Sequence, residues 1–422
     1  MYFKISFYFL SLFLVLGCSS KPLTLEEQDA KAYLKFIKVV NTIKKTYIDE
    51  INTTTLINKA LEGMVANLDA HSAYMTSTKM KILETQTSGE FAGVGMVLSF
   101  KERALSVIAP IANTPAFRAG IKSGDIILRI NETPTIGIDI QEAVSHIKGK
   151  VGSIVKLTIA RGKSHKLLKF TLKREIIKIK SVHFKKLTPK VLYIKIDTFD
   201  KNVVHQVKKL LKKQNPKGIL LDLRGNPGGL LSQAVGLVDL FVEKGVIVSQ
   251  KRASKGDEMS YYASSRNTNT LTKLVVLING ASASASEIVS GALQDKKRAT
   301  IVGEKTFGKG SVQVVLPLPD EEALKLTIAR YYLPSGRTIQ AKGVVPDLVV
   351  YQKEKRDYLT EKDLKGYLKE EKSITSKTKH SLTLEDFDLK PYSRLFKRKI
   401  FKDDKQLRVG FGVLMGKFKE NK

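Results

Sequence analysis

Gly218-Ile219-Leu220-Leu221-Asp222-Leu223-Arg224-Gly225-Asn226-Pro227-Gly228-Gly229 is a near-continuous apolar run that stops at a glycine and proline turn. A run of that length, punctuated in that way, reads as a fully buried strand rather than a half-exposed one. A helical pattern from Leu230 to Val242 follows, and the same strand–turn–helix order recurs where Leu274 to Ile278 meets Gly280-Ala281-Ser282-Ala283-Ser284-Ala285-Ser286-Glu287-Ile288. Strand Leu192 to Phe199, helix Val203 to Lys213, and strands around Thr300-Ile301-Val302, Val312 to Leu316 and Leu324 to Tyr332 complete the alternation. That order predicts an α/β sheet with its chemistry at the strand ends.

Two of these turns carry reactive residue types. The serine run opens the helical pattern that starts near Glu287, and Thr306-Phe307-Gly308-Lys309-Gly310-Ser311-Val312-Gln313 places a lysine between two glycines. A serine hydroxyl needs a base, and a lysine serves only as the neutral amine. With a reference pKa near ~10.4, roughly one lysine in a few thousand is neutral at pH 7. Apolar burial is the remedy, and Lys309 is flanked by Phe307, glycines and an apolar strand, not by carboxylates. A serine at a helix start also meets unpaired N–H groups where an oxyanion would develop. None of the six histidines lies in these motifs. Asp222 and Arg224 read as core-stabilising, and Glu287 as a first-turn helix residue and not a general base.

Upstream, residues 88–175 have a β-rich texture with a helix at Ile140 to Ile147 and a strand at Ile154 to Ala160. The run Ala119-Gly120-Ile121, Ser123-Gly124-Asp125-Ile126-Ile127 and Ile130-Asn131 resembles a PDZ domain. In that frame the amides of Gly93-Val94-Gly95-Met96 form a nest for a free C-terminal carboxylate, with the peptide adding as an extra strand.

From Thr24 to Thr87 the spacing is helical: Leu34, Ile37, Val40, Ile43 and Tyr47, then Leu56, Ala60, Met64 and Leu68. This predicts a small helical domain or dimerising arm. Leu68-Asp69-Ala70-His71-Ser72-Ala73-Tyr74 closes it as a structural turn, since triad members come from separate elements. Lys4, the apolar run Ile5 to Leu16 and Gly17-Cys18-Ser19 resemble an export signal with a bacterial lipobox, which makes Cys18 a lipidation site. Cys18 is the sole cysteine, so no internal disulfide forms. Ser19 favours the outer membrane in the sorting pattern of such lipoproteins.

The net charge of +31 raises nucleic acid as a partner, but the chain has no aromatic-interleaved basic stripe and no zinc-type spacing, so the lysines read as solvated faces.

Asp222-Leu223-Arg224-Gly225-Asn226-Pro227-Gly228-Gly229, Ser282-Ala283-Ser284-Ala285-Ser286-Glu287-Ile288, Phe307-Gly308-Lys309-Gly310-Ser311-Val312-Gln313 and Gly343-Val344-Val345-Pro346-Asp347 occur in the order found in C-terminal processing peptidases, also called tail-specific proteases. The resemblance covers roughly Tyr47 to Val350. It implies an α/β crotonase-like core with an inserted PDZ-like domain and an N-terminal helical domain, cleaving proteins recognised by their C-termini. It matches the nucleophile to Ser284, the base to Lys309 and the base-orienting glutamine to Gln313. The oxyanion donors match the backbone of Ala285 and of Gly228 or Gly229, both of which stay open.

The expected organisation is a signal (1–18), a helical domain (24–87), a PDZ-like domain (88–175), a serine peptidase core (176–350) and a basic C-terminal extension (351–422). The expected activity is a serine endopeptidase at the periplasmic face of the envelope, lipid-anchored, without cofactor or metal. Its expected partners are free protein C-termini and the membrane, not nucleic acid, and an adaptor protein and a homo-oligomer stay open. A silent PDZ scaffold and a small acyl-thioester hydrolase are the competing classes.

Overall fold

The computed structural model describes residues 24–101, 104–162, 166–252, 257–264, 268–352, 358–369 and 390–416, so Cys18 and the signal lie outside the described residues. The chain divides into two compact units, Met1–Gly63 and Met64–Lys422.

In the first unit, α1 (Leu25–Thr46) starts on a capping box in which Thr24 and Glu27 exchange backbone and side-chain bonds. None of its side chains is buried. Helix α2 (Thr53–Ala66) begins where Asn52 Oδ1 accepts the Thr54 amide at 2.8 Å.

The helical stretch expected as far as Thr87 is interrupted. Residues Ala73–Met75 form β1, antiparallel to a core strand with Tyr74 opposite Leu324, and α3 (Ser77–Ser88) follows. Tyr74 and Met75 are buried there, so the segment just past the turn at residues 68–73 serves a sheet edge within the span expected to be helical.

Gly89, with φ 69°, ends α3 and turns the chain into β2 (Glu90–Gly93), which pairs with β9 (Glu175–Lys178). This two-stranded ribbon is both entry and exit of an inserted module. The module's sheet runs β3 (Met96–Lys101), β4 (Ala104–Pro110), β5 (Ile126–Ile130), β7 (Ile154–Arg161) and β8 (Lys166–Lys173), with β6 (Thr133–Pro134) on β5. Helices α4 (Pro115–Arg118) and α5 (Ile140–Ile147) belong to the module, whose core includes Val94, Leu105, Ile127, Ala143 and Leu157.

The main sheet is β10 (Val182–Thr188), β11 (Val191–Ile196), β12 (Gly218–Asp222), β15 (Lys273–Ile278), β16 (Thr300–Gly303) and β19 (Leu348–Val349), parallel from β11 onward. Side chains alternate between two apolar faces. Ile219, Leu221, Val276 and Ile278 pack against α6 (Val203–Gln214), α7 (Leu231–Asp239) and α8 (Ala285–Asp295). Leu220, Val275 and Leu277 face the other way, onto Phe401, Leu407, Phe411 and Leu414. Those residues come from the C-terminal stretch, which holds α9 (Ser393–Phe396) and α10 (Lys405–Met415). The basic C-terminal extension therefore covers this face of the sheet, because the apolar residues it brings there are gathered between Tyr392 and Met415.

A second sheet brings β1, β18 (Ala323–Tyr332), β13 (Gly245–Lys251) and β14 (Glu258–Ala263) together, and β17 (Ser311–Pro317) pairs along β18.

Candidate active site

The turn after β15 gives its three serines different environments. Ser282 and Ser286 are buried, and their hydroxyls donate to the carbonyls of Leu223 (2.8 Å) and Asn226 (3.0 Å). Ser284 is partly exposed and is the N-cap of α8, held at φ 52° and ψ −113°. A non-glycine residue in that region stores backbone strain, as nucleophile turns do. Its neighbours leave no slack, because the Ala283 amide donates to Asn226 O at 3.0 Å and Asn279 Oδ1 accepts the amides of Gly225 and Ala281.

Glu287 holds this turn to the lysine loop. Its Oε2 accepts the backbone amides of Ser284 and of Lys309, both at 2.8 Å. Its Oε1 accepts the Thr306 hydroxyl at 2.5 Å and the Gly308 amide at 2.7 Å. The carboxylate is buried, and burial pushes its pKa up to about 7 against the pull of these four hydrogen bonds. Glu287 is the first-turn residue that the sequence indicates, but it also joins the two loops. The Ser-x-x-Glu spacing is the signal that carries this.

The lysine loop is seated on residues 339–343. Ala341 donates to Gly308 O at 2.8 Å, and the Gly310 amide donates to Gln340 Oε1 at 2.9 Å. A Cβ on Gly310 would lie 2.4 Å from Gln340 N, so only glycine lets the loop approach this closely. Lys309 is half-buried. Burial first, and the Lys325 ammonium second, hold its pKa below the usual lysine range, while Glu361, Glu287 and Asp69 pull the other way.

Among the described residues, the base-orienting role that the sequence resemblance implies for Gln313 is not matched by a hydrogen bond to the Lys309 amine, and of the Gln313 side-chain amide only Nε2 is engaged. Its Nε2 donates to Ser311 Oγ at 2.9 Å and Thr327 Oγ1 at 3.3 Å, which aims the amide along the sheet. The register of β17 against β18 shifts between Val312 and Gln313, and this turns the side chain toward its own hairpin. Among the described residues no hydrogen bond joins Lys309 Nζ to Ser284 or to Gln313.

The two glycines left open differ in their bonding. The Gly228 amide donates to Asn226 Oδ1 at 2.8 Å, and the Gly228 carbonyl accepts from Phe199 N (2.9 Å) and Thr198 Oγ1 (3.0 Å). A trans peptide sets the next N–H opposite that carbonyl, so the Gly229 amide points away from Phe199. A Cβ on Gly228 would lie 2.9 Å from Ser284 Cβ and 3.0 Å from Ala285 N, which puts this peptide against the serine. Among the described residues neither the Gly229 nor the Ala285 amide makes a hydrogen bond.

Asp222 and Arg224 form a structural clamp. Arg224 donates to Asp222 at 2.6 Å and to both oxygens of Asp404 at 2.9 Å, tying the strand end to the start of α10. Asp69 accepts the amides of His71 and Ser72 and the Ser72 hydroxyl, so Asp69, His71 and Ser72 form a closed turn and not a triad. In the inserted module, Val94 O and Gly95 O accept the Ala116 and Ile111 amides at 2.9 Å each. This orients the Gly93–Met96 loop, and a Cβ on Gly95 would strike Thr114 at 2.4 Å.

Residues 190–350 match peptidase family S41, and residues 106–161 match the PDZ domain. A carboxy-terminal-processing protease of Bartonella bacilliformis is 36% identical over 421 residues, covering 97% of this chain and 94% of that one. A probable CtpA-like serine protease of Staphylococcus epidermidis is 34% identical over 357 residues, covering 83% of this chain and 72% of that one. Among solved structures, a photosystem II D1 C-terminal processing protease aligns at 28% identity over 75% of this chain and 92% of its own, with a TM-score of 0.45. The chain belongs to peptidase family S41, among the carboxy-terminal-processing proteases, and is a serine-type peptidase with a PDZ domain.

Proposed function

We propose that this peptidase cleaves envelope proteins presented by their free C-termini, with Ser284 as nucleophile and Lys309 as general base. The observation that carries the reading is the convergence of the Ser284 and Lys309 amides on Glu287 Oε2, near the Gly229 and Ala285 amides, which make no hydrogen bond among the described residues. The neutral Lys309 amine takes the Ser284 proton as Oγ attacks the scissile carbonyl, and then gives it to the leaving amine. Water, deprotonated by the same amine, hydrolyses the acyl-enzyme. The tetrahedral oxyanion sits between the Gly229 and Ala285 amides, since the Gly228 amide is already committed to Asn226. Gln313 keeps its carbonyl oxygen for the lysine amine, leaving the lone pair toward serine. The side-chain bonds of the dyad close when substrate docks.

The Gly93–Met96 loop captures the substrate's terminal carboxylate, and the peptide adds along the free edge of β3. The core is crotonase-like on this reading. Acylated Cys18 anchors the enzyme at the periplasmic face, and an outer-membrane site is favoured by Ser19.

The test compares purified wild type with Ser284→Ala and Lys309→Ala on an unfolded protein bearing a free or an amidated C-terminus. Expected are cleavage by wild type alone and a preference for the free tail. Cleavage by either variant overturns the mechanism, and peptide binding without cleavage by wild type supports the scaffold reading. Globomycin-sensitive processing that is lost in Cys18→Ser cells checks the anchor.

A further inference from the structure

His71 and the stretch after Val350 have no part in the chemistry described so far, yet they meet beneath the lysine loop. Glu361 lies in the single turn Glu361–Asp363 and is completely buried. Its amide donates to Phe307 O at 3.1 Å. Its carboxylate accepts from Gln340 Nε2 at 2.9 Å and from His71 Nε2, which lies 2.9 Å from each oxygen. Gln340 in turn accepts the Gly310 amide through Oε1 at 2.9 Å. Phe307 and Gly310, the residues that bracket Gly308 and Lys309, are thus both held by Glu361, one directly and one through Gln340.

The His71 turn reaches the other candidate as well. Thr327, which accepts from Gln313, donates to Asp69 Oδ1 at 3.0 Å, and the Thr327 amide donates to Ser72 Oγ at 3.1 Å. The Ala70 amide closes the frame on Gly366 O at 3.0 Å. Burying a carboxylate is costly unless donors meet it, and an apolar side chain would fill the same space at less cost. A charge kept there does more than pack.

We propose that the His71–Glu361 pair is a positioning device for Lys309, fixing the Phe307–Gly310 loop from below and setting the charge that the lysine amine feels. The inference rests on Lys309 being the base. The charged groups facing that amine are Lys325 from β18, which opposes its protonation, and Glu361, Glu287 and Asp69, which favour it. Neutralising Glu361 leaves the amine easier to deprotonate, so the acid limb of the pH profile moves to lower pH.

The test uses the full chain and measures kcat, KM, Tm and the pH dependence of kcat/KM on a free-tailed protein substrate. Glu361→Ala and His71→Ala are expected to lower kcat about tenfold or more with KM within roughly twofold. Glu361→Gln, which keeps an acceptor for Gln340, recovers part of that loss and shifts the acid limb down by roughly half a pH unit or more. An unmoved limb in Glu361→Gln, or kcat losses in the alanine variants that vanish once compared at equal distance from Tm, overturns the proposal. Lys309→Ala separates the two levels. Its residual cleavage removes the base assignment, whereas a dead Lys309→Ala beside an unmoved limb removes only the positioning role.

Discussion

Ser284 and Lys309 are held by one atom: the amides of both donate to Glu287 Oε2 at 2.8 Å. The serine turn and the lysine loop are therefore set against each other by the backbone, with no hydrogen bond between the two side chains among the described residues. Electrostatic catalysis depends on such preorganisation, and here a buried carboxylate whose partners are the two loops provides it.

Glu287 makes activity and stability run in opposite directions with pH. All four partners of its carboxylate are donors. Protonation below about 7 leaves a proton without an acceptor and loosens the lysine loop, so it steepens the fall of kcat/KM below that value, on top of the limb that Lys309 sets. The folded-state pKa is raised above the usual 4.5, so the folded chain binds the extra proton between pH 4.5 and 7. Stability from this group is full below that window and declines across it, by on the order of 3 kcal/mol. Urea titrations of wild type and Glu287→Gln across the window check the sign, and a stability difference between the two that does not change with pH shows that the carboxyl titrates normally.

Gly228 and Gly229 separate activity from folding. A Cβ on Gly229, at φ 142°, lies 2.4 Å from Phe199 O, so Gly229→Ala destabilises the fold by about 2 to 4 kcal/mol. A Cβ on Gly228 meets Ser284 and Ala285 instead. Gly228→Ala is expected to lower kcat at least tenfold with a smaller change in Tm. Thermal unfolding beside steady-state kinetics reads both, and equal Tm losses in the two variants count against the assignment.

Gly95→Val tests capture of the tail apart from chemistry. Its side chain collides with Thr114 and disturbs the carboxylate loop, while the catalytic turns are untouched. KM for a free-tailed substrate rises about tenfold, and amidated and free tails are then cleaved alike. A preserved preference for the free tail places recognition elsewhere.

The C-terminal helix is structural. Phe411 is fully buried among Phe396, Phe401 and Tyr392, with ring centroids 5.0 to 6.0 Å apart. Phe411→Ala therefore costs about 3 to 5 kcal/mol. Arg224→Ala leaves Asp222 buried without its partner and costs about 3 kcal/mol or more. Denaturant midpoints measure both, and a Phe411→Ala midpoint equal to wild type shows that α10 does not cover the sheet.

Local pattern alone identified the strands and helices of the core, since apolar runs such as Ile219–Leu221 and Leu274–Ile278 need no context to be read as buried strands. It also singled out the serine turn and the glycine-flanked lysine, because each depends on residue type at short spacing, whereas the Gly93–Met96 loop is read through the resemblance to a PDZ domain. Tertiary structure decided what depends on distant partners. A strand at Ala73–Met75, paired with β18, interrupts the region expected to be helical as far as Thr87, and Gln313 bonds to Ser311 and Thr327. The Gly228 amide donates to Asn226 Oδ1, which is the basis for proposing Gly229 as the oxyanion donor. Glu361 meets His71 across 290 residues. A buried hydrogen bond is specified by which acceptor the fold brings within about 3 Å, and no periodicity along the chain records that.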